Sequence, residues 1–236
     1  MRRAIIAILA SAAACLLWPT APALSWANGG DGGNGFGTHD WLLVEANRLA
    51  AKKNADWLRL GTALAASDDP DTVFHDTYHH VYDIWGSSTY GDAPDLVARY
   101  YRKALAARRQ HEYRRASRMV GLMSHYYTDI CNPLHTDGSK REDAVHTPYE
   151  NAVLRRTDAR GEHRAWIVFD GYRRVDNITL KARNAARRAH RSYATLVDHY
   201  YRHGYDATVA RITRQAMNRG ANGLADIVIT LKRKAP

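Results

Sequence analysis

Cysteine is nearly absent: Cys15 and Cys131 are the only two in 236 residues. Long apolar runs are equally scarce. Ala4 to Leu17 is apolar apart from Ser11, and no later segment approaches the roughly 20 residues needed to cross a bilayer. Strand-type alternation is weak throughout. Internal repeats, hydrophobic heptads and an interdomain linker are all missing. These absences argue against a disulfide-stapled scaffold, a membrane-spanning bundle, a coiled coil and a solenoid. Loops must then be tied down by something other than disulfides, and metal is one candidate.

The N-terminus sets the expected compartment. Met1-Arg2-Arg3 is basic, the apolar run follows, and Ala23-Leu24-Ser25 offers small residues where a signal peptidase reads. This is the three-part pattern of a cleaved secretory signal. Pro19 and Pro22 follow the apolar run, which suits cleavage better than anchoring. Lipid attachment at Cys15 lacks the usual leucine or valine three residues earlier. The expectation is a signal peptide over 1–25 and one exported, monomeric helical domain over 26–236, extracellular or periplasmic, with no transmembrane anchor. Cleavage would leave Cys131 alone, so no internal disulfide could form, although the compartment would permit one.

Losing Arg2 and Arg3 takes the formal charge from +10 to +8. Such a charge suits anionic lipid surfaces, nucleic acid or phosphate-bearing substrates without choosing among them. There is no long basic block. Pairs such as Arg155-Arg156 and Arg187-Arg188 are scattered along helical patterns.

The glycine-rich stretch from Trp26 to Gly37 reads as an extended loop. Thr38 is a candidate N-cap for a helix over 40–53. A second helix is expected over 56–66, stopped by Ser67-Asp68-Asp69-Pro70-Asp71, because proline removes a donor and disfavours helix before it. Residues 72–92 read as irregular. Helices are expected over 96–109, 113–131 (closed by Pro133) and 146–155, with polar loop from Gly138 to Val145. Trp166 to Phe169 reads as a short strand or extended loop. Long helices over 179–202 and 206–232 follow, the last interrupted near Gly220 and Gly223. The fold class is an all-α, single-domain multi-helix bundle.

Chemistry concentrates in a histidine/carboxylate set. His125 and Asp129 stand four apart in one helix and so share a face. His135 comes six residues later, past Pro133. His146 and Glu150 repeat the four-residue spacing on the next helix. Imidazole and carboxylate so placed converge on one ion, and zinc takes such mixed nitrogen and oxygen ligands. One pair alone is more often a surface ion pair; two pairs on successive helices with a histidine between them are not. Upstream stand His39 in Gly37-Thr-His-Asp-Trp41, His80 in His79-His-Val-Tyr-Asp83, and the pair Asp68 and Asp69.

Together these residues resemble the zinc-dependent phospholipase C family, the bacterial phosphatidylcholine-type enzymes and clostridial alpha-toxins. In that family the mature chain begins with a tryptophan whose amino group and carbonyl bind zinc, and Trp26 directly follows the expected cleavage point. The family's first histidine, thirteen residues on, is matched by His39. Its His-x3-Asp-x5-His is matched by His125, Asp129 and His135; its His-x3-Glu by His146 and Glu150; its His-x-Tyr-Asp by His80. The resemblance implies three zinc ions in a surface cleft. His80, His125 and Asp129 would hold one. Trp26, His39 and the bridging Asp129 would hold its neighbour. His135, His146 and Glu150 would hold the third. Asp68 or Asp69 would serve as catalytic base, with Asp68 a further ligand candidate.

It also implies hydrolysis of a phosphodiester, with a phospholipid at a membrane surface as substrate. Paired ions activate a water and clamp the attacking and leaving oxygens of such a displacement. The secreted single-strand-specific zinc nucleases, which would take nucleic acid, are the alternative. Their first histidine lies five residues after the tryptophan and their last pair is His-x3-Asp, neither of which is seen here. The choline-binding residues of the phosphatidylcholine enzymes are not reproduced: those positions give Gly29, Asp69 or Pro70, and Thr77. Phe74, Tyr78 or Tyr82 could rebuild that function.

Overall fold

The computed structural model describes Trp26 and residues 35–76, 78–157 and 164–236. The expected signal segment, Gly29, Thr77 and residues 158–163 lie outside the described residues. Among the described residues the fold is all-α apart from one two-stranded hairpin. Helices α1 (Thr38–Ala51), α2 (Leu60–Ser67) and the single turn α3 (Asp69–Thr72) lead to strands β1 (Asp83–Trp85) and β2 (Ser88–Tyr90). Then come α4 (Ala93–Arg109), α5 (Tyr113–Asp129), a 3-10 turn (Pro133–Thr136), α6 (His146–Thr157), α7 (Ile178–His190), α8 (Tyr193–His203) and α9 (Ala207–Lys234). Among the described residues no helix is long and apolar enough to cross a membrane.

Helix α5 is the hub, packing on α4, α2, α9 and α1. From Val120 to Asp129 every residue is buried. Gly121 lets α2 approach: a Cβ there would lie 2.1 Å from the Ala63 carbonyl oxygen. On the far side α9, about 42 Å long at 1.5 Å per residue, buries an unbroken run from Gly220 to Leu231.

Several elements differ from the sequence expectation. The second helix starts at Leu60 and ends at Ser67. The helix does stop at the Ser67–Asp71 segment as expected, and Pro70 in addition sits in the single turn α3, where its missing N–H would have had no partner. Residues 83–90, expected to be irregular, form an antiparallel hairpin pairing Asp83 with Tyr90 and Trp85 with Ser88, turned at Gly86 with φ +61°. Trp166 closes a 3-10 turn, and 167–169 follow as irregular chain, the loop rather than the strand of the two expected alternatives. The single helix expected over 179–202 is two, broken at Arg191–Ser192. The expected interruption at Gly220 and Gly223 does not occur. The helix runs through both glycines, and Gly223 serves packing instead: a Cβ there would meet the Tyr127 hydroxyl at 2.1 Å.

Cys131 is buried behind α5, and burial pushes its thiol up to about 12. The native chain starting at Trp26 should therefore fail to react with Ellman's reagent at pH 8, and should yield one thiol on unfolding in guanidinium. Rapid reaction of the native protein would contradict the burial.

Candidate metal centre

Among the described residues three groups of buried donors lie close enough to share an ion: His80, His125 and Asp129; His39, Asp71 and His125; and His135, His146 and Glu150. The first two share His125, so they are contiguous. Each ligand-bearing segment is held by bonds that aim its ring.

His39 sits in the first turn of α1. That turn is fixed by Asp40, which accepts from the Gly37 N–H (3.0 Å) and from the Ser67 hydroxyl (2.6 Å). The Thr128 hydroxyl donates to the Ser124 carbonyl (2.9 Å), so its oxygen accepts from His39 Nδ1 (2.7 Å). That turns His39 Nε2 toward Asp129 Oδ1, 3.3 Å away. His125 Nδ1 donates to the Ser67 carbonyl (2.6 Å) and His80 Nε2 to the Asp76 carbonyl (2.5 Å). Asp76 is itself held by the Tyr126 hydroxyl (2.8 Å) and the Tyr78 and His79 N–H groups.

With the other nitrogen of each ring committed to a carbonyl, His125 Nε2 and His80 Nδ1 face each other at 3.1 Å. Asp129 Oδ2 lies 3.0 Å from His80 Nδ1 and 3.5 Å from His125 Nε2. Two ring nitrogens and a carboxylate at such range need a cation between them. In the metal-free chain a proton takes that role. Burial disfavours the charged His125 ring, but Asp129, Asp71 and the Ser67 carbonyl outweigh it and raise its pKa to about 9. His39 goes the other way. Burial first, then repulsion from His125 and His80, keep it neutral well below its ordinary value.

The other group repeats the design. His146 Nδ1 points to Glu142 Oε1 (3.3 Å), while His146 Nε2 and His135 Nε2 each lie 3.1 Å from Glu150 Oε1. Asn132 donates to the same oxygen (3.1 Å), and its own oxygen caps the turn that carries His135. Burial opposes charge on His146, yet Glu150 and Glu142 raise it to about 10. Burial would raise Glu150, but His146 and His135 together lower it. Side chains that fix the ring nitrogen opposite the ligand atom are a usual accompaniment of metal ligation. The donors present, imidazole and carboxylate with zinc-type spacing, fit a zinc centre.

The aspartates divide differently from the expectation. Asp71, which the sequence reading passed over, lies 3.5 Å from His80 Nε2 and 3.4 Å from His125 Nε2. Asp69 turns away to Arg118 (2.7 Å). Asp68 is buried and belongs to none of the three groups. Burial, then Asp40, raises its carboxyl to about 8. It lines a separate cavity of about 430 Å³ with Asp40, Asp69, Phe36 and Val73. The signal that could have singled out Asp71 is its place after Pro70.

The Trp26 indole is fully buried and donates to the Thr128 carbonyl (2.8 Å), beside Asp129. His75 and His79 do not join the groups; His79 pairs with Asp92 at 2.5 Å. Of the aromatics considered for a cation, Phe74 and Tyr78 are exposed and Tyr82 is buried.

No protein-family model matches the chain. A curated phospholipase C from Listeria monocytogenes is 27% identical over 151 residues, covering 55% of this chain and 52% of the relative. Among solved structures, the alpha toxin from Clostridium absonum matches with a TM-score of 0.63 and 16% identity, over 89% of this chain and 67% of the toxin. The Clostridium perfringens alpha-toxin of avian strain SWCP matches with a TM-score of 0.61 and 16% identity, over 89% and 66%. The chain thus spans about half the length of the curated relative and shares the alpha-toxin fold. The resemblance to the zinc-dependent phospholipase C family is present both in sequence and in fold.

Proposed function

We propose, from that shared fold and donor pattern, that the chain is an exported zinc-dependent phosphodiester hydrolase of phospholipase C type. It would release diacylglycerol and a phosphorylated headgroup from a phospholipid at a membrane surface, acting as a monomer. The observation that carries the reading is the approach of His80 Nδ1 to His125 Nε2 at 3.1 Å, with Asp129 Oδ2 3.0 Å and 3.5 Å from them. His80, His125, Asp129 and Asp71 would hold one ion; His39, Asp129 and the amino terminus of Trp26 a second; His135, His146 and Glu150 a third. The ions, when bound, activate water and neutralise charge on the phosphoryl oxygens.

The chain's own residues do the rest. Ser67, Asp76, Thr128 and Glu142 fix the rings. Asp71, at the contact between His80 and His125, orients the attacking water and takes its proton. Asp68 stands outside all three donor groups, and Asp69 is occupied by Arg118.

Two comparisons test this. Hydrolysis of p-nitrophenylphosphocholine should exceed hydrolysis of single-stranded DNA; nuclease activity without lipase activity would overturn the assignment in favour of the nuclease relatives. Asp71→Asn should lose on the order of 10²–10³ in kcat, in the range of losing a general base. Asp68→Asn should lose less than about tenfold, the lower end of effects that act through a neighbour. The reverse order would return the role to Asp68.

A further inference from the structure

Helices α7 and α9 and the segment 170–177 enclose a cavity of about 370 Å³, reached on one wall by Tyr127 of α5. It shares no residue with the three donor groups. Its charge is unbalanced. Three carboxylates line it and each already has a cation: Asp226 with Lys181 (2.7 Å), Asp170 with Arg173 (2.8 Å) and Asp176 with Arg174 (2.7 Å). Two further cations line the same space, Arg188 and Arg219. Among the described residues neither has a carboxylate within ion-pair distance.

Arg219 is the more exposed in energetic terms. Its Nε and Nη2 are buried without an acceptor. Burial, and the charge of Arg188 among its neighbours, disfavour its protonated form, yet a guanidinium does not discharge in a protein. A buried donor without a partner costs about 1–3 kcal/mol, more when charged. Two unneutralised guanidinium groups on one cavity form a site whose repulsion an anion would remove. The fork of N–H donors matches tetrahedral oxyanions in bidentate fashion. Two uncompensated charges match a dianion better than a carboxylate, which would leave one over. The space also exceeds a bare phosphate and leaves room for an ester substituent.

We propose that this cavity is a binding site for a soluble phosphate or phosphate monoester, clasped by Arg188 and Arg219 and separate from the metal centre. The inference does not depend on the enzymatic assignment.

The test is calorimetric titration of the metal-loaded chain with inorganic phosphate and with glycerol 3-phosphate, at ionic strength matched with chloride. Phosphate will also meet the metal centre, so the readout is the component that the variants remove. Arg188→Gln, at an exposed position, should weaken that component about tenfold without changing zinc content or hydrolytic rate. Arg219→Met should abolish it and raise the melting temperature in phosphate-free buffer, because a stranded charge leaves the interior. Isotherms of Arg188→Gln identical to those of the unaltered chain would overturn the proposal. Should Arg219→Met fail to fold, Arg188→Gln decides alone. Loss of hydrolysis with the phosphate component intact would count against the enzymatic reading and leave this one standing.

Discussion

Replacing Asp129 with asparagine should cut phosphodiester hydrolysis on the order of 10³-fold, about 4 kcal/mol in the barrier, and lower the bound zinc from three ions to one. The side chain is fully buried. Its Oδ1 lies 3.3 Å from His39 Nε2, while Oδ2 faces His80 at 3.0 Å and His125 at 3.5 Å. One carboxylate therefore divides its oxygens between two adjoining groups. The amide keeps the shape but turns one oxygen into a hydrogen-bond donor, which cannot ligate. Two imidazole groups lose their common anion together. His135, His146 and Glu150 share no atom with Asp129 and should keep their ion. Metal analysis of the purified variant beside a kinetic assay decides the matter. Three ions and undiminished activity would remove Asp129 from the centre.

Stripping the metal should lower the melting temperature by about 15–30 °C. An ion at a hundred times its Kd stabilises by about 2.7 kcal/mol, three give about 8 kcal/mol, and a chain of this size shifts by about 2–4 °C per kcal/mol. The stripped protein should also show its perturbed histidines. His125 and His146, with pKa values of about 9 and about 10, carry protons at pH 7 that ligation must displace. Reloading at pH 7 should thus release close to two protons, read from the buffer dependence of the binding heat, and fewer as pH rises through 9 to 10. Affinity should climb with pH over the same range. Stability by itself moves the other way for His146. Its folded pKa is raised, so its contribution is complete below about 6.5 and is lost as pH climbs through about 10. Glu150, depressed, contributes above its ordinary value and loses that contribution in acid. A melting temperature indifferent to chelation would contradict buried ligands.

The parts legible in the sequence were those in which spacing alone determines geometry. His125 with Asp129, and His146 with Glu150, must share a face once their segments are helical, and they do come together. Asp71 was not legible, because its direction depends on a single turn begun by Pro70 rather than on a periodic pattern. The α7–α8 break carries no proline or glycine, and apolar residues continue across Arg191 and Ser192, so periodicity passed over it. The glycines of α9 pointed the wrong way, since the Tyr127 hydroxyl that requires Gly223 lies 96 residues earlier in the sequence. Of the pairs that leave Arg188 and Arg219 over, Asp170–Arg173 and Asp176–Arg174 are local, but the one that commits Asp226 to Lys181 is tertiary. Nothing local separates those two arginines from the other basic residues of their helices.

Helix α5 commits both of its sides. His125 and Asp129 face the donor groups, while Tyr127, between them, faces Gly223 on α9. At 3.6 residues per turn, inserting or deleting one residue upstream in this helix would rotate everything beyond it by about 100°. Ligands and packing would be lost in the same event, with no intermediate in which one is kept. An added residue in the segment 138–145, outside every helix, would leave this register untouched, so the same change should be tolerated there and ruinous between Tyr113 and Asp129.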